Sequence, residues 1–209
     1  VAIHTDKALF IKDHEMVILG KSLKLSSLPD GLTLTPDLET LERALIEEGK
    51  GNYPHFMIKE INEQPDVLEN IAKNYSDRIE ELGKSIKNAY GTYFIGAGTA
   101  YFACLGGTYL FSKIAKVHVN TAPASEFNYL EDFLTRDSLI IALSQSGETI
   151  DVVEPLNAAK AKGAKIAGIV NSIGSTIWQM ADYKIALGAG PEMAVASTKA
   201  YVAKLSVLI

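Results

Sequence analysis

From residue 56 to residue 209, short apolar runs alternate with longer stretches of helical periodicity. The runs typical of strands lie at residues 92–95, 117–121, 138–143, 165–170 and 183–187. Helices are predicted at residues 99–114, 125–130, 150–162, 175–180 and 195–208. Alternating strands and helices are joined by right-handed crossovers, which produce a parallel sheet covered on both faces. The pattern therefore predicts an α/β protein with three layers, α/β/α, and a parallel five-stranded sheet.

The beginning of the chain has a different pattern. Residues 8–11 and 16–19 are apolar runs separated by the polar residues 12–15, which is typical of a β-hairpin. Two strands alone cannot bury enough apolar surface to be stable. We therefore expect residues 1–34 to be the end of a larger β-rich unit.

A helical linker is expected between this hairpin and the α/β region. Thr35, Pro36 and Asp37 are suited to the first turn of a short helix, and Gly49 and Gly51 are suited to end it. Apolar spacing predicts three further helices at residues 56–63, 66–74 and 77–88. The predicted domains are therefore residues 1–34, the linker at 35–74 and the α/β domain at 75–209.

The loop after the third predicted strand, Ser144-Gln145-Ser146-Gly147-Glu148-Thr149, is rich in hydroxyl groups. It precedes a predicted helix, where backbone N–H groups lack partners and the helix dipole is positive. Both properties favour an anion. The loop therefore predicts a site that holds a phosphate dianion without a metal or an arginine. The alternative for this loop alone is that Ser146 only caps the helix.

Two well-known catalytic loops do not fit this segment. A nucleophile elbow needs glycine two positions before the serine, where this chain has Ala142 or Ser144. A P-loop needs a glycine, four further residues and then Gly-Lys-Ser/Thr, and the sequence contains no string of this form. Neutral hydroxyls and backbone N–H groups remain as the chemistry of the loop.

The first strand ends in Gly96-Ala97-Gly98-Thr99-Ala100, which is only superficially similar to a dinucleotide-binding loop. Tyr101 stands where that fingerprint needs a third glycine, and no acid ends the second strand. We expect a tight turn that brings Thr99 to the same edge of the sheet as Ser144.

A third loop, residues 188–199, contributes Ser197, Thr198 and Lys199 to this edge. Lys199 is interpreted either as a solvated lysine or as a ligand contact. Glu148 and Glu192 could act as general bases, but we favour a structural role for both, since acids are stabilised in the first turn of a helix.

Composition excludes several classes of function. A net charge of −5, without clustered Lys and Arg, argues against nucleic-acid binding. No apolar run reaches the roughly 18 residues of a membrane-spanning helix, so we expect a cytoplasmic protein that contacts no membrane. The histidines show no metal-ligand spacing, no cofactor is predicted, and Cys104 is predicted to be an inert packed thiol.

Several ordered motifs together resemble one enzyme family. They are residues 50–65, Gly98-Thr99, Ala124-Ser125-Glu126-Phe127, the SQSGET string at 144–149 and Val195-Ala196-Ser197-Thr198-Lys199. SQSGET is similar to the sugar isomerase (SIS) superfamily, and residues 53–65 distinguish one member of it. Residues 50–209 resemble the glutamine–fructose-6-phosphate aminotransferases (isomerising), also called glucosamine-6-phosphate synthases. Residues 1–30 resemble the closing hairpin of their glutaminase domain.

The resemblance implies a fold and a set of binding residues. The α/β domain would have the SIS fold. The residues that would hold the sugar phosphate are Thr99, Ser144, Gln145, Ser146 and Thr149, with Ser197 and the backbone near Val195 touching the sugar. Ala100 stands where the family usually has serine, so only its backbone N–H could contribute.

The resemblance also implies that this chain is an internal fragment of an enzyme that makes glucosamine 6-phosphate from fructose 6-phosphate and glutamine. The glutaminase cysteine and the second SIS half lie outside it, so no catalytic residue is expected in this chain and the fragment alone should be inactive. The expected partners are fructose 6-phosphate or glucosamine 6-phosphate, and a second copy in a full-length homodimer. Two alternatives are a non-catalytic SIS-type module that senses sugar phosphates and an α/β domain without a ligand.

Overall fold

The computed structural model describes residues 7–40 and 49–209 of the chain. The chain divides into two compact units, residues 1–46 and residues 47–209. Within the described residues, no helix combines the length and the apolar character needed to cross a membrane. The finer division at residues 34 and 74 stays a prediction.

The described part of the first unit, residues 7–40, forms five short strands. They are β1 (Lys7–Ala8), β2 (Glu15–Leu19), β3 (Leu23–Ser27), β4 (Thr33–Leu34) and β5 (Glu39–Thr40). β1 pairs with β5, and β2, β3 and β4 form a separate sheet in that order. All of these pairings are antiparallel.

The predicted pairing of residues 8–11 with residues 16–19 is wrong. Residues 16–19 do lie in a strand, but β2 pairs with β3, the strand that follows it. A short turn at residues 20–22 joins β2 directly to β3, and there the N–H of Gly20 donates to the carbonyl of Ser22 at 3.3 Å. β2 is thereby paired with the strand that follows it.

The helix predicted from Thr35 is also wrong where the structure describes it. Residues 39–40 form β5, which pairs with β1 and therefore needs an extended backbone. The remainder of that predicted helix, residues 41–48, lies outside the described residues.

Three helices begin the second unit: α1 (Phe56–Asn62), α2 (Gln64–Asn74) and α3 (Ser76–Asn88). The ring Nδ1 of His55 caps α1 by accepting a hydrogen bond from the N–H of Ile58 at 3.3 Å. Pro65 lies in the first turn of α2, where the N–H that proline lacks would have no intrahelical partner. α2 can therefore begin before Pro65 rather than after it.

A parallel sheet of five strands forms the centre of the second unit. Its strands are β6 (Gly91–Gly96), β7 (Asn120–Pro123), β8 (Ser138–Ser144), β9 (Lys165–Val170) and β10 (Tyr183–Ala186). Their order is β10, β9, β8, β6, β7, and all neighbours are parallel. The predicted three-layer α/β fold is confirmed.

Four strands match their predicted ranges closely, whereas β7 is displaced from residues 117–121 to 120–123. The preceding helix ends at Lys116, which adopts a left-handed conformation with φ of 57°. Residues 117–119 are then needed to carry the chain from this end to its pairing with Tyr93.

Four further helices flank the sheet: α4 (Thr99–Leu110), α5 (Ile150–Ala161), α6 (Thr176–Met180) and α7 (Lys199–Val207). α4 continues into a π turn at Phe111–Ala115, and the predicted helix at 125–130 is a 3-10 helix, Ala124–Tyr129. α7 begins at Lys199 rather than at Val195, because carboxylates of Glu60 and Glu192 hold the preceding residues as a loop.

Side chains along each central strand alternate between two hydrophobic cores. One core contains Phe94, Leu139, Ile141 and Leu143 of the sheet with Cys104 and Ala203 of α4 and α7. The other contains Tyr93, Ile95, Ile140 and Ala142 of the sheet with Val152 and Leu156 of α5. Burial on both faces explains why these strands are continuous apolar runs rather than alternating ones.

Candidate functional site

The chain order across the sheet reverses between β6 and β8. β7 lies on one side of β6, whereas β8, β9 and β10 follow on the other side. In open parallel sheets, ligands bind outside the carboxyl ends of the strands at such a reversal. Here the end of β6 leads into α4, and the end of β8 leads into the Ser144 loop.

The turn from β6 into α4 depends on glycine. A Cβ atom at Gly96 would lie 2.8 Å from the backbone carbon of Ala100 and 2.9 Å from the backbone nitrogen of Tyr101. Only glycine allows α4 to begin this close to the end of the strand. Thr99 is thereby fixed as the first residue of α4.

The Ser144 loop is ordered by its own hydroxyl groups. Ser144 Oγ accepts a hydrogen bond from the N–H of Gly147 at 3.0 Å and lies 3.1 Å from Thr149 Oγ1. Ser146 Oγ accepts a hydrogen bond from the N–H of Glu148 at 3.1 Å. Ser146 therefore bonds within the loop, while Thr149 is the residue at the N-cap position of α5.

Neighbouring segments hold the same loop from outside. The N–H of Asn171 donates to the carbonyl of Gln145 at 3.1 Å, and the N–H of Ile177 donates to the carbonyl of Gly147 at 3.0 Å. Gly147 has a φ of +69°, and a Cβ atom there would lie 1.9 Å from Ser175 Oγ. These contacts fix the conformation of the loop, and its hydroxyls lie at the end of β8.

These loops enclose a cavity of about 160 Å³. It is lined by Ala97, Thr99, Ala100, Leu143, Ser144, Gln145, Ser146, Thr149, Ser197 and Lys204. The structure thus brings together every predicted binding residue except Val195. The lining residues include no aspartate, glutamate or histidine among the part of the chain that the structure describes.

For Ala100 and Val195, the structure differs from the predicted contribution to ligand binding. The N–H of Ala100 donates to the carbonyl of Ala97 at 3.1 Å, so this group is already used in the turn. Val195 lies on the loop before α7 with its side chain fully exposed, and it does not line the cavity. Roles for Ala100 and Val195 in ligand binding stay predictions.

The loop before α7 is held by two carboxylates. Glu60 of α1 is buried and accepts hydrogen bonds from the N–H groups of Met193 at 2.6 Å and Ala194 at 3.1 Å. Glu192 accepts from the N–H of Thr198 at 2.7 Å and from Ser197 Oγ at 3.2 Å. Glu192 therefore has a structural role from the loop before α7 and not from the first turn of a helix, and its bonds position the hydroxyl of Ser197 beside the cavity.

Lys199 is neither solvated nor a lining residue of the cavity. It is 4% exposed, and its Nζ lies 2.6 Å from Glu63 Oε2 of the segment between α1 and α2. Burial raises the pKa of Glu63, but hydrogen bonds from Lys199 and Lys59 outweigh burial and leave the pKa below its usual value. The solvated interpretation of Lys199 is therefore wrong.

Lys204 was not among the residues predicted from the sequence. It is 1% exposed and lines the cavity, and burial lowers its pKa. The signal was its position: Ala200, Ala203, Lys204 and Val207 form the buried stripe of α7 at helical spacing. A lysine on an apolar stripe is unusual, because burial of an ammonium is unfavourable unless it has a polar or charged neighbour.

Glu148 has a structural role, but at α6 and not in the first turn of the helix that follows it, whereas Cys104 is packed as predicted. Glu148 accepts hydrogen bonds from the N–H of Thr176 at 2.8 Å and from Thr176 Oγ1 at 2.6 Å, so it caps α6. Cys104 is fully buried, and burial raises the pKa of its thiol to about 12. Its thiolate is therefore absent at neutral pH.

Comparison with curated proteins identifies relatives along nearly the whole chain. The glutamine–fructose-6-phosphate aminotransferase (isomerising) of Bacillus cereus is 43% identical over 211 residues, covering 98% of this chain and 35% of that protein. The protein of the same name from Thermococcus kodakarensis is 37% identical over 207 residues, covering 98% of this chain and 34% of that protein. The chain thus spans about a third of the length of these relatives.

Solved structures share the fold. The C-terminal domain of glucosamine-fructose-6-phosphate aminotransferase from Francisella tularensis is 33% identical with a TM-score of 0.68, covering 77% of this chain and 47% of that chain. Tagatose-6-phosphate ketose/aldose isomerase from Escherichia coli is 18% identical with a TM-score of 0.60, covering 73% of this chain and 45% of that chain, and shows the fold alone. Residues 85–208, more than half of the chain, match the SIS domain family. Sequence and fold together establish that the chain belongs to the SIS domain family.

Proposed function

We propose that this chain binds the phosphate group of fructose 6-phosphate or glucosamine 6-phosphate and forms the sugar-phosphate-binding part of a glutamine–fructose-6-phosphate aminotransferase. The observation that carries the proposal is one cavity lined by the hydroxyls of Thr99, Ser144, Ser146 and Thr149. The names of the relatives support the choice of sugar.

The chemistry of the cavity suits a phosphate dianion. Thr99 begins α4 and Thr149 precedes α5, so the cavity lies at two helix N-termini, where N–H groups lack intrahelical partners. Hydrogen bonds from such donors and from hydroxyls to a charged group contribute about 1.5 to 3 kcal/mol each. No carboxylate among the described lining residues would repel the anion.

The amine of Lys204 is the single titratable side chain among the described residues that line the cavity. A general base must lie within hydrogen-bond distance of the proton it removes. The described lining residues include neither a carboxylate nor an imidazole. The proposed role is therefore to anchor and orient the sugar, so that binding energy serves positioning for chemistry carried out by other groups.

Calorimetry on the 209-residue chain tests the proposal. Fructose 6-phosphate should bind to the unmodified chain, and fructose, which lacks the phosphate, should not. Ser146→Ala should weaken binding about tenfold because it removes one hydrogen bond to a charged group. Ser85→Ala on α3, outside the cavity, is the matched control and should leave affinity unchanged. Absence of binding to the unmodified chain would contradict the proposal.

A separate measurement distinguishes the enzyme from the non-catalytic sensor. Both hypotheses predict sugar-phosphate binding by this chain. Only the enzyme hypothesis predicts that the full-length protein converts fructose 6-phosphate and glutamine into glucosamine 6-phosphate. Failure to form this product in a folded full-length protein would favour the sensor.

We further infer that the full-length protein forms a homodimer in the cytoplasm. Phe102 and Tyr109, seven positions apart on α4, are 58% and 62% exposed and therefore give this helix an apolar outer face. Light scattering on the full-length protein tests the dimer, and replacing both residues with serine should weaken it if α4 forms the interface.

A further inference from the structure

α7 carries two buried lysines with different surroundings. Lys199 forms an ion pair with Glu63 at 2.6 Å. Lys204 is 1% exposed, and within residues 7–40 and 49–209 no carboxylate lies within ion-pair distance of its Nζ and no acceptor bonds to it. Its Nζ is not one of the fully buried, unpartnered polar atoms of the described residues, so the ammonium itself reaches the surface of the cavity. Partial loss of hydration without an anion is still unfavourable for an ammonium.

The groups that face Lys204 do not supply that anion. Glu192, from the loop before α7, acts on the charge of Lys204, but its oxygens bond to Ser197, Thr198 and Ala200. Cys104, from α4, faces Lys204 as a neutral thiol with a pKa of about 12. Burial lowers the pKa of Lys204, and Glu192 opposes this shift only in part.

The cavity is the remaining place for a counterion. Lys204 lines it together with Ser144, Ser146 and Thr149, the residues proposed to hold the phosphate. Every other lining residue among those described is neutral, so Lys204 is the single charged group of the lining.

We propose that Lys204 binds the phosphate group of the sugar and neutralises part of its charge. This inference rests on the proposed function and adds a cation to a site that the sequence predicted from neutral hydroxyls alone. The site would then recognise a phosphate dianion by charge as well as by hydrogen bonds.

Lys204 should therefore lower the stability of the ligand-free chain. Replacing an unpaired buried charge with an apolar residue of similar length often stabilises a protein. Lys204→Met should raise the melting temperature of the ligand-free chain while weakening phosphate binding. If Lys204 had only a structural role, its replacement would not raise the melting temperature and weaken phosphate binding together.

The test is calorimetry on the 209-residue chain with fructose 6-phosphate and with inorganic phosphate. Lys204→Met and Lys204→Gln should each bind both anions about ten- to a hundredfold more weakly than the unmodified chain. Lys84→Met, which removes a positive charge from the exposed face of α3, is the control and should bind normally.

The pH profile gives an independent readout. Only the protonated amine attracts the dianion, so the affinity of the unmodified chain should fall as the pH rises through the lowered pKa of Lys204. In Lys204→Met this alkaline decrease should disappear. If the unmodified chain binds fructose 6-phosphate and both Lys204 variants match its affinity and pH profile, the inference is overturned while the proposed function stands. If the unmodified chain binds neither anion, both are overturned.

Discussion

Ser144 Oγ lies 3.1 Å from Thr149 Oγ1 and also accepts a hydrogen bond from the N–H of Gly147. Each hydroxyl has a single proton to donate. When one of the two protons lies between the oxygens, the other is left for a ligand. The pair therefore acts as one unit at the end of β8, and removal of either hydroxyl changes what the other can donate.

Ser144→Ala should lower both stability and affinity, whereas Thr149→Val should lower mainly affinity. The first change leaves the buried N–H of Gly147 without its acceptor, which costs about 1 to 3 kcal/mol. Thr149→Val removes the hydroxyl but keeps the shape of the side chain, so packing is preserved. Urea denaturation and calorimetry with fructose 6-phosphate measure the two quantities. The double variant should lose less affinity than the sum of the single losses, and strict additivity would argue against a coupled pair.

The ion pair between Glu63 and Lys199 should make stability depend on pH. The pKa of Glu63 is lowered in the folded chain. The ion pair therefore contributes fully to the free energy of unfolding above the usual carboxyl pKa, and this contribution is lost as the pH falls through the lowered value. Glu63→Gln should therefore destabilise the chain by about 2 kcal/mol at pH 7, less than for a fully buried pair because the Glu63 side chain is 30% exposed. The loss should shrink towards pH 3.

Glu69→Gln provides the comparison for Glu63→Gln. Glu69 pairs with Lys73 on α2, but both side chains are more than 60% exposed. Exposed pairs contribute at most about 1 kcal/mol. Denaturation curves at pH 7 and pH 3 should show a small, nearly constant effect. An equal pH dependence in both variants would mean that burial of Lys199 does not strengthen its pair.

Much of the sheet could be predicted because its strands are buried on both faces. The centres of β6, β8 and β9, residues 93–95, 139–143 and 166–170, are apolar and buried, and this burial explains their composition. The partner of β2 could not be predicted in the same way. β2 joins β3 through the turn at residues 20–22, whereas residues 8–11 are apolar and therefore look equally suited to pair with it.

The parts of the site that depend on nearby residues could be predicted from the sequence. The parts that depend on contacts with distant segments could not. The Ser144 loop is ordered mainly by bonds within six consecutive residues. The start of α7 was placed too early, since Glu60, more than 130 positions away, bonds to the N–H groups of Met193 and Ala194. Lys204 was missed because only the fold reveals that its helix face lies against a cavity.

Glu192→Gln should loosen the loop before α7. Glu192 Oε1 accepts from the N–H groups of Thr198 and Ala200, and these charge-assisted bonds contribute about 1.5 to 3 kcal/mol. The variant should lose stability of that order, and the amides of Thr198 and Ala200 should exchange hydrogen faster. Glu154→Gln, an exposed acid on α5, should change neither quantity. Unchanged exchange at Thr198 would contradict the role assigned to Glu192.

Gly96→Ala should damage both the fold and the site, because the new Cβ would press on backbone atoms of Ala100 and Tyr101 rather than on a movable side chain. Overpacking of this kind costs typically about 1 to 3 kcal/mol, and the displaced helix would carry Thr99 away from the cavity. Gly83→Ala on α3 is the matched control, since its Cβ would meet open space. That change should stabilise the helix by up to about 1 kcal/mol. Urea denaturation and binding of fructose 6-phosphate measure both effects, and a Gly96→Ala chain with normal stability and affinity would show that the close start of α4 is not required.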